Sequence, residues 1–148
     1  RIASGGELSR IMLAFKTLSA GDHPARTLIF DEVDAGIGGR AASVVGDKLR
    51  SLGNRTQVLC ITHLPQIAAQ ASTHYCIDKT VKGPRTLTSV TRLDDAAREH
   101  EIARMMAGES ALSADVLVAA RTLLRAKAKE APEAKGESAR GAKAKVRK

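Results

Sequence analysis

Ser4-Gly5-Gly6-Glu7-Leu8-Ser9-Arg10 and, about twenty residues later, Thr27-Leu28-Ile29-Phe30-Asp31-Glu32-Val33-Asp34 decide the fold of this chain. In the first stretch, two glycines begin an apolar helical pattern, and they allow an anion to approach the unpaired N–H groups of a helix start. The second stretch is a hydrophobic strand that ends in two adjacent carboxylates. Ligands of an open parallel sheet bind at the carboxyl ends of its strands, where Asp31 and Glu32 fall. Together the stretches predict an α/β fold that handles a nucleotide triphosphate and its magnesium ion.

The first stretch begins an amphipathic helix. Ser4 and Glu7 stand at capping-box spacing, so we expect the helix to start at Ser4. Helix-breaking residues between Ala20 and Pro24 predict a loop. The helix carries an apolar stripe at i, i+3, i+4 and i+7 spacing, formed by Leu8, Ile11, Met12, Phe15 and Leu18.

The second stretch begins a βαβ unit. Apolar runs at Thr27 to Phe30 and Gln57 to Thr62 predict two parallel strands, joined by a helix from Arg40 to Leu52. The apolar positions of that helix are Ala41, Val44, Val45, Leu49 and Leu52. Further patterns predict a short helix at Pro65 to Ala71, an exposed antiparallel hairpin from Tyr75 to Lys79 and Thr86 to Leu93, and helices at Asp94 to Met106 and Ser113 to Ala128.

Positive charge is concentrated at the end of the chain. The 148 residues carry a net charge of +8, of which residues 125 to 148 account for +6. From residue 129 onward large apolar side chains are nearly absent, so we expect 129–148 to be a disordered basic tail and 1–128 to form the folded unit. Such a tail is either a solvated end or a contact for a phosphate backbone.

The two cysteines lie in apolar stretches and are expected to be reduced core thiols of a cytoplasmic protein. Cys60-x-x-His63 and His74-x-Cys76 also resemble a zinc ligand set, but Cys60 and Cys76 fall inside predicted strands, whereas structural zinc ligands usually come from turns. No apolar run has the length of a membrane span, so we expect no membrane association.

Four side chains are candidates for chemistry. Asp31 can hold Mg²⁺ and Glu32 can polarise an attacking water. Asp34 can position that water or a partner subunit, although an Asp in this glycine-rich loop is also a common turn former. His63 follows the second strand, at the same sheet edge, where a histidine can bond a γ-phosphate. No stretch has the phosphate-cradling pattern Gly-x-x-x-x-Gly-Lys-Ser/Thr.

The order Ser4-Gly5-Gly6-Glu7, Asp31-Glu32, Asp34 and Thr62-His63 resembles the signature motif, Walker B motif, D-loop and switch histidine of ABC-type ATPases. The longer strings Ser4 to Ala14, Phe30 to Arg40 and Val58 to Gln66 are similar to the C-terminal part of the RecN family, bacterial double-strand-break repair proteins related to the SMC (structural maintenance of chromosomes) proteins. The resemblance covers about residues 1 to 125.

This resemblance implies the C-terminal lobe of an ABC/SMC-type P-loop ATPase head, with a parallel-sheet core and an edge hairpin. The Walker A motif would lie in an N-terminal lobe beyond a long coiled coil, so we expect ATP hydrolysis by the complete protein and none by this segment alone. Two heads would close as a homodimer around two ATP molecules and engage DNA in a nucleoid-associated bacterial protein.

Residue roles also follow from the resemblance. Asp31 would bind Mg²⁺, Glu32 would be the catalytic base and His63 would contact the γ-phosphate of the same head. The residues that would lie toward the nucleotide of the opposite head are Ser4, Gly5, Gly6, Glu7 and Asp34.

Alternatives are another SMC-like or ABC-type ATPase head and a non-enzymatic basic DNA-binding fragment. Transporter ATPases commonly have Gln where this chain has Glu7, and they continue differently after the catalytic Glu than Val33-Asp34-Ala35-Gly36 does. The basic tail after about Arg125 departs from the family pattern.

Overall fold

The computed structural model of the chain describes residues 4–18, 27–83 and 85–129. The predicted loop from Ala20 to Pro24 and the tail beyond residue 129 lie outside the described residues. The five helices of the described parts are α1 (Gly5–Leu18), α2 (Gly39–Gly53), α3 (Pro65–Ala68), α4 (Asp95–Ala107) and α5 (Ala114–Lys129), with a 3₁₀ turn at Glu109–Ala111. The four strands are β1 (Thr27–Phe30), β2 (Gln57–Cys60), β3 (Tyr75–Lys82) and β4 (Arg85–Arg92).

The strands form two separate two-stranded sheets, and the chain is therefore a mixed α/β fold. β1 and β2 are parallel, with Thr27 paired to Gln57 and Phe30 paired to Cys60. β3 and β4 are antiparallel, with Tyr75 paired to Arg92. The predicted parallel pair and the exposed hairpin are both confirmed, but β2 ends at Cys60, two residues before the predicted end at Thr62.

Side chains cap the helices where the sequence predicts it. The backbone nitrogen of Ser4 donates to Oε2 of Glu7 (3.1 Å), and the nitrogen of Glu7 donates to Oγ of Ser4 (3.3 Å). This reciprocal pair is the predicted capping box. At the start of α4, Oδ1 of Asp94 accepts a hydrogen bond from the nitrogen of Ala97 at 2.8 Å. Helix α1 therefore begins at Gly5, directly after its capping residue Ser4.

Two apolar clusters hold the fold together. The first lies between α1, α2 and the β1–β2 sheet, around Leu13, Phe30, Val33 and Leu49. The second lies between α3, α4 and α5, and it contains the predicted inward side of α5, namely Val116, Leu117, Ala120, Leu123 and Leu124. The first cluster lies directly beneath the loop that carries Asp31 and Glu32, so the core positions the site.

The apolar stripe of α1 is exposed. Its side chains are between 51% and 87% exposed, and helix α1 instead buries Gly6 and Leu13. Helix α2 also differs from the expectation, because Ala41 and Val44 are exposed while Ala42 and Gly46 are buried. A methyl group at Gly46 would lie 3.2 Å from the carbonyl oxygen of Gln66, so the approach of α3 selects small residues on that side of α2.

Among the described residues, no helix is both long enough and apolar enough to cross a membrane.

Candidate functional site

The loops that follow the two parallel strands meet at one edge of the β1–β2 sheet. Asp31 and Glu32 come directly after β1 and are exposed, and His63, three residues after β2, has a side chain that is 74% exposed. Asp34 lies between them in the fold, and its residue is only 3% exposed. The structure thus places three predicted site residues at the surface of this edge and buries the fourth beneath it.

The carboxylate of Asp34 joins the two loops. Its Oδ2 accepts hydrogen bonds from Oγ1 of Thr62 (2.6 Å) and from the backbone nitrogen of His63 (2.9 Å), and it lies 3.0 Å from Nδ1 of His63. Oγ1 of Thr62 in turn accepts from the nitrogen of Leu64 at 3.0 Å. All three of these contacts are made by Oδ2, so this one oxygen of Asp34 holds the start of the loop after β2 and the ring of His63.

Burial raises the pKa of Asp34, but the hydrogen bonds from Thr62 and the His63 backbone, together with the charge of the His63 ring, outweigh burial and leave the pKa below its ordinary value. Asp34 is therefore ionised at neutral pH. An acceptor at Nδ1 orients the ring and leaves Nε2 on the exposed side, where it can contact a phosphate oxygen.

Helix α1 is fastened to the loop after β1 by two polar side chains. Oγ of Ser9 donates to the carbonyl oxygen of Asp31 at 2.8 Å. Nη1 of Arg10 donates to the carbonyl oxygens of Val33 (3.3 Å) and Ala35 (2.8 Å). The sequence prediction did not include Ser9, Arg10 or Thr62 among the site residues. The signal that could have identified them is their place inside the motif strings, next to residues that were included.

The two glycines of the helix start lie against the same loop. A methyl group at Gly6 would lie 2.7 Å from Cβ of Ala35 and 2.8 Å from the carbonyl oxygen of Glu32. At Gly5 it would lie 2.8 Å from Oε2 of Glu32. At Gly6 only glycine permits this approach, whereas at Gly5 the end of the Glu32 side chain could move aside. The start of α1 and the Glu32 side chain therefore share one small region of surface.

The backbone of Glu32 has an unusual conformation. Its φ is +55°, in the left-handed region, and among the described residues other than glycine no other φ is positive. The nitrogen of Glu32 donates to Oδ1 of Asp31 at 2.9 Å. Left-handed backbone costs roughly 1–2 kcal/mol in a residue with a Cβ, and such strain is concentrated at functional sites.

The two cysteines are half-buried free thiols rather than fully buried core residues. Burial, assisted by the carboxylates of Asp34 and Asp31, raises the pKa of Cys60 to about 12. Burial also raises the pKa of Cys76, which lies in β3. Both thiols therefore stay protonated at neutral pH, so neither is a nucleophile.

No protein-family model matches the chain. Curated relatives named DNA repair protein RecN are similar to it. The protein from Xylella fastidiosa strain Temecula1 is 52% identical over 108 residues, which is 73% of this chain and 19% of the relative. The Treponema pallidum protein is 48% identical over 130 residues, 88% of this chain and 22% of the relative. The Bacillus subtilis protein is 48% identical over 108 residues, which is 73% of this chain and 19% of the relative. The chain thus spans about a fifth of the length of these relatives.

Proposed function

Because this chain belongs to the RecN family of DNA repair proteins, we propose that it forms one lobe of an ATP-hydrolysing head in a longer DNA repair protein. The observation that carries the proposal is the meeting of Asp31, Glu32 and His63 at the carboxyl edge of a parallel strand pair, with the start of α1 beside them. This edge is where open α/β sheets bind their ligands.

Each of the three side chains has a role that suits its chemistry. Glu32 is the general base that takes a proton from the attacking water, for which its exposed carboxylate is available. His63 donates to the terminal phosphate, and Asp34 holds its ring in place from below. Thr62 and the His63 backbone keep Asp34 ionised and buried, so the ring has one preferred orientation.

The donor set at this edge fits a magnesium ion. Mg²⁺ takes oxygen ligands and usually retains several waters, so a single exposed carboxylate such as Asp31 is a sufficient protein contribution. When bound, the ion neutralises developing charge on the transferred phosphoryl group. Asp31 would be its ligand, with Oδ1 oriented by the nitrogen of Glu32.

A second head completes the proposal. Ser4, Gly5, Gly6 and Glu7 form a capped helix start with close-packed glycines, which suits contact with a phosphate held by another copy. The family resemblance implies that Asp34 acts across the dimer interface, but the observed contacts of its side chain are within its own chain. Oδ2 of Asp34 is engaged with Thr62 and His63 of its own chain, so a contact of this loop with the second head would come through Oδ1, the backbone or a neighbouring residue.

Exposed apolar surface supports a missing lobe. Besides the stripe of α1, Ile29, Leu59 and Ile61 of the parallel pair and its continuation are 46–68% exposed. A groove of about 1810 Å³ is lined by residues of both sheets, among them Val58 and Cys60 of β2 and Tyr75 and Cys76 of β3. We assign this groove to the N-terminal lobe with the Walker A motif, joined to this segment through a coiled coil.

This proposal includes the ABC/SMC-type head, its ATP and Mg²⁺, its dimerisation, its DNA substrate and a nucleoid-associated location.

The test is the substitution Glu32→Gln in the full-length protein. The substitution removes the proton acceptor and keeps the size of the side chain, so steady-state ATP turnover should fall at least about 100-fold. ATP-driven dimerisation, followed by light scattering, should persist.

If the chain were instead a basic DNA-binding fragment without catalysis, Glu32→Gln would change no ATP turnover. Wild-type turnover at background level, or equal turnover in wild type and Glu32→Gln, would refute the catalytic assignment. Glu7→Gln makes the same change of charge at the cap of α1 and tests the proposed contact with the second head. Glu7→Gln should weaken ATP-driven dimerisation and thereby lower turnover. Glu32→Gln should lower turnover and leave dimerisation unchanged.

A further inference from the structure

The loop after β1 is neither helix nor strand, yet the carbonyl oxygens of residues 31–35 all accept hydrogen bonds. Two of the donors lie in the loop itself. The nitrogen of Ala35 donates to the oxygen of Glu32 at 3.0 Å, and the nitrogen of Ile37 donates to that of Asp34 at 3.2 Å. Backbone oxygens outside helices and sheets need such partners, because an unpaired buried oxygen is costly. The remaining three oxygens are paired by side chains of α1.

Helix α1 supplies these three bonds from two neighbouring side chains. Oγ of Ser9 donates to the carbonyl oxygen of Asp31 at 2.8 Å. Nη1 of Arg10 donates to the carbonyl oxygens of Val33 (3.3 Å) and Ala35 (2.8 Å). The serine thus holds the residue before the proposed base, and the arginine holds two residues after it. Since Arg10 makes two of the three bonds, it is the main polar link between α1 and this loop.

The residue between these contacts is the strained one. Glu32 has a φ of +55°, which a residue with a Cβ retains only when its surroundings enforce it. A methyl group at Gly6 would lie 2.8 Å from the carbonyl oxygen of Glu32 and 3.2 Å from Nη1 of Arg10, so the helix start, the guanidinium and the Glu32 backbone all lie close to one point. Arg10 is therefore placed to enforce the conformation of Glu32 from the side of α1.

The positive charge of Arg10 is used on backbone oxygens. Within the described part of the chain, no ion pair involves Arg10, and the residue is half-buried. Hydrogen bonds from a charged donor are stronger than those between neutral groups. One nitrogen that bonds two carbonyl oxygens also fixes the separation of residues 33 and 35. Loss of this side chain would remove both bonds and leave the loop attached to α1 only by the Ser9 bond and the packing of Gly6.

We propose that Arg10 is a positioning residue for the proposed ATP hydrolysis: it holds the loop after β1 so that Glu32 retains its left-handed backbone and its carboxylate stays within reach of the attacking water. This inference rests on the proposed function and adds to it a residue that acts through Glu32 rather than on the nucleotide. A general base must lie about 2.6–3.2 Å from the group whose proton it takes, and a misplacement of about 1 Å can cost about 100-fold in rate. Loss of two bonds beside the base should therefore lower kcat.

The test begins with Arg10→Ala in the full-length protein. At saturating ATP its kcat should fall about 10- to 100-fold, whereas the KM for ATP and ATP-driven dimerisation should stay at their wild-type values, because the nucleotide contacts are intact. Lys16→Ala is the matched control, since it removes a positive charge from the last turn of the same helix. The control should retain the wild-type kcat. An unchanged kcat in Arg10→Ala would overturn the proposal, and so would a raised KM with an unchanged kcat, which indicates direct contact with the nucleotide.

A double-mutant cycle separates positioning from a structural role. If Arg10 acts through Glu32, adding Arg10→Ala to Glu32→Gln should cause no further loss of turnover, because the base that Arg10 positions is already absent. A general loss of structure, or an independent role of Arg10 in the reaction, would instead lower turnover by the same factor in both backgrounds. Equal factors would therefore overturn the positioning role.

Thermal unfolding of each variant gives the folded fraction, and kcat is expressed per folded molecule. If Arg10→Ala does not fold, Arg10→Lys takes its place in the cycle. Lysine keeps the charge but lacks the rigid planar fork of arginine, so this variant should have an intermediate kcat and the same absence of further loss in Glu32→Gln. Wild-type turnover at background level would overturn the proposed function and this inference together. Normal wild-type turnover with equal losses in both backgrounds would overturn the positioning role alone.

Discussion

Asp34 and His63 lie in the loops after two different strands, and Oδ2 of Asp34 contacts both the backbone nitrogen (2.9 Å) and Nδ1 (3.0 Å) of His63. One buried carboxylate therefore fixes the position and the ring orientation of an exposed histidine. The contact links the strand that carries Asp31 and Glu32 to the strand that precedes His63.

Asp34→Asn should destabilise the protein at neutral pH by about 1–3 kcal/mol, because an amide replaces an ionised acceptor and leaves buried donors poorly paired. The pKa of Asp34 is lowered in the folded state, so its stabilising contribution is present above its unfolded pKa, about 3.9, and is lost as pH falls through the folded value. Urea denaturation of wild type and variant should therefore show a larger difference in the free energy of unfolding at pH 7 than at a pH below about 3.9. A difference in stability that is the same at both pH values would contradict this assignment of charge.

Gly6→Ala should destabilise the protein by about 1–3 kcal/mol, because the new methyl group would meet Cβ of Ala35 and the carbonyl oxygen of Glu32, neither of which is the end of a flexible chain. Gly53→Ala is the matched control, since nothing lies within 4 Å of a methyl group there. The control should be neutral or slightly stabilising, as alanine is the better helix former. Thermal unfolding of the two variants distinguishes the cases. Equal melting temperatures would show that α1 does not approach the loop as closely as described.

Arg98 closes the end of α3. Its Nη2 donates to the carbonyl oxygens of Ala68 (3.4 Å), Ala69 (3.1 Å) and Ala71, at and just beyond the end of the short helix. Arg98→Ala should cost about 1–3 kcal/mol in urea denaturation. Arg104→Ala removes a bidentate pair with Glu101 three residues away, in which Arg104 is half-exposed, and should cost about 1 kcal/mol or less. If Arg104→Ala proved the more damaging change, the junction of α3 and α4 would not depend on Arg98.

The sequence predicted the elements whose signals are local, and it missed the features that depend on packing. The capping box of Ser4 and Glu7 needs only four neighbouring residues, and the reciprocal bonds are present. The left-handed backbone of Glu32 could not be predicted, because a glutamate gives no local signal for it. The burial of Asp34 was equally hidden, since its donors lie 28 and 29 residues away.

Apolar periodicity also has a limit that α1 illustrates. A stripe of Leu8, Met12 and Phe15 shows which side of the helix is apolar, but it does not show whether the surface that covers it belongs to the same segment. Helix α1 reaches its neighbours through Gly6, Ser9 and Arg10 instead. The exposed Leu8 and Met12 are available to the rest of the proposed head, and the sequence of one segment gives no internal signal for such a surface.

The strained backbone of Glu32 gives a prediction that separates stability from activity. With φ at +55°, Glu32→Gly should relieve the steric cost of the Cβ, and the gain of roughly 1–2 kcal/mol should exceed the entropic cost of glycine, roughly 0.5–1 kcal/mol. Glu32→Gln retains the Cβ and serves as the control. In urea denaturation the Gly variant should therefore be more stable than the Gln variant, while both lose ATP turnover. A Gly variant less stable than the Gln variant would show that the left-handed conformation imposes no strain on this loop, and the conformation would then have no special connection with catalysis.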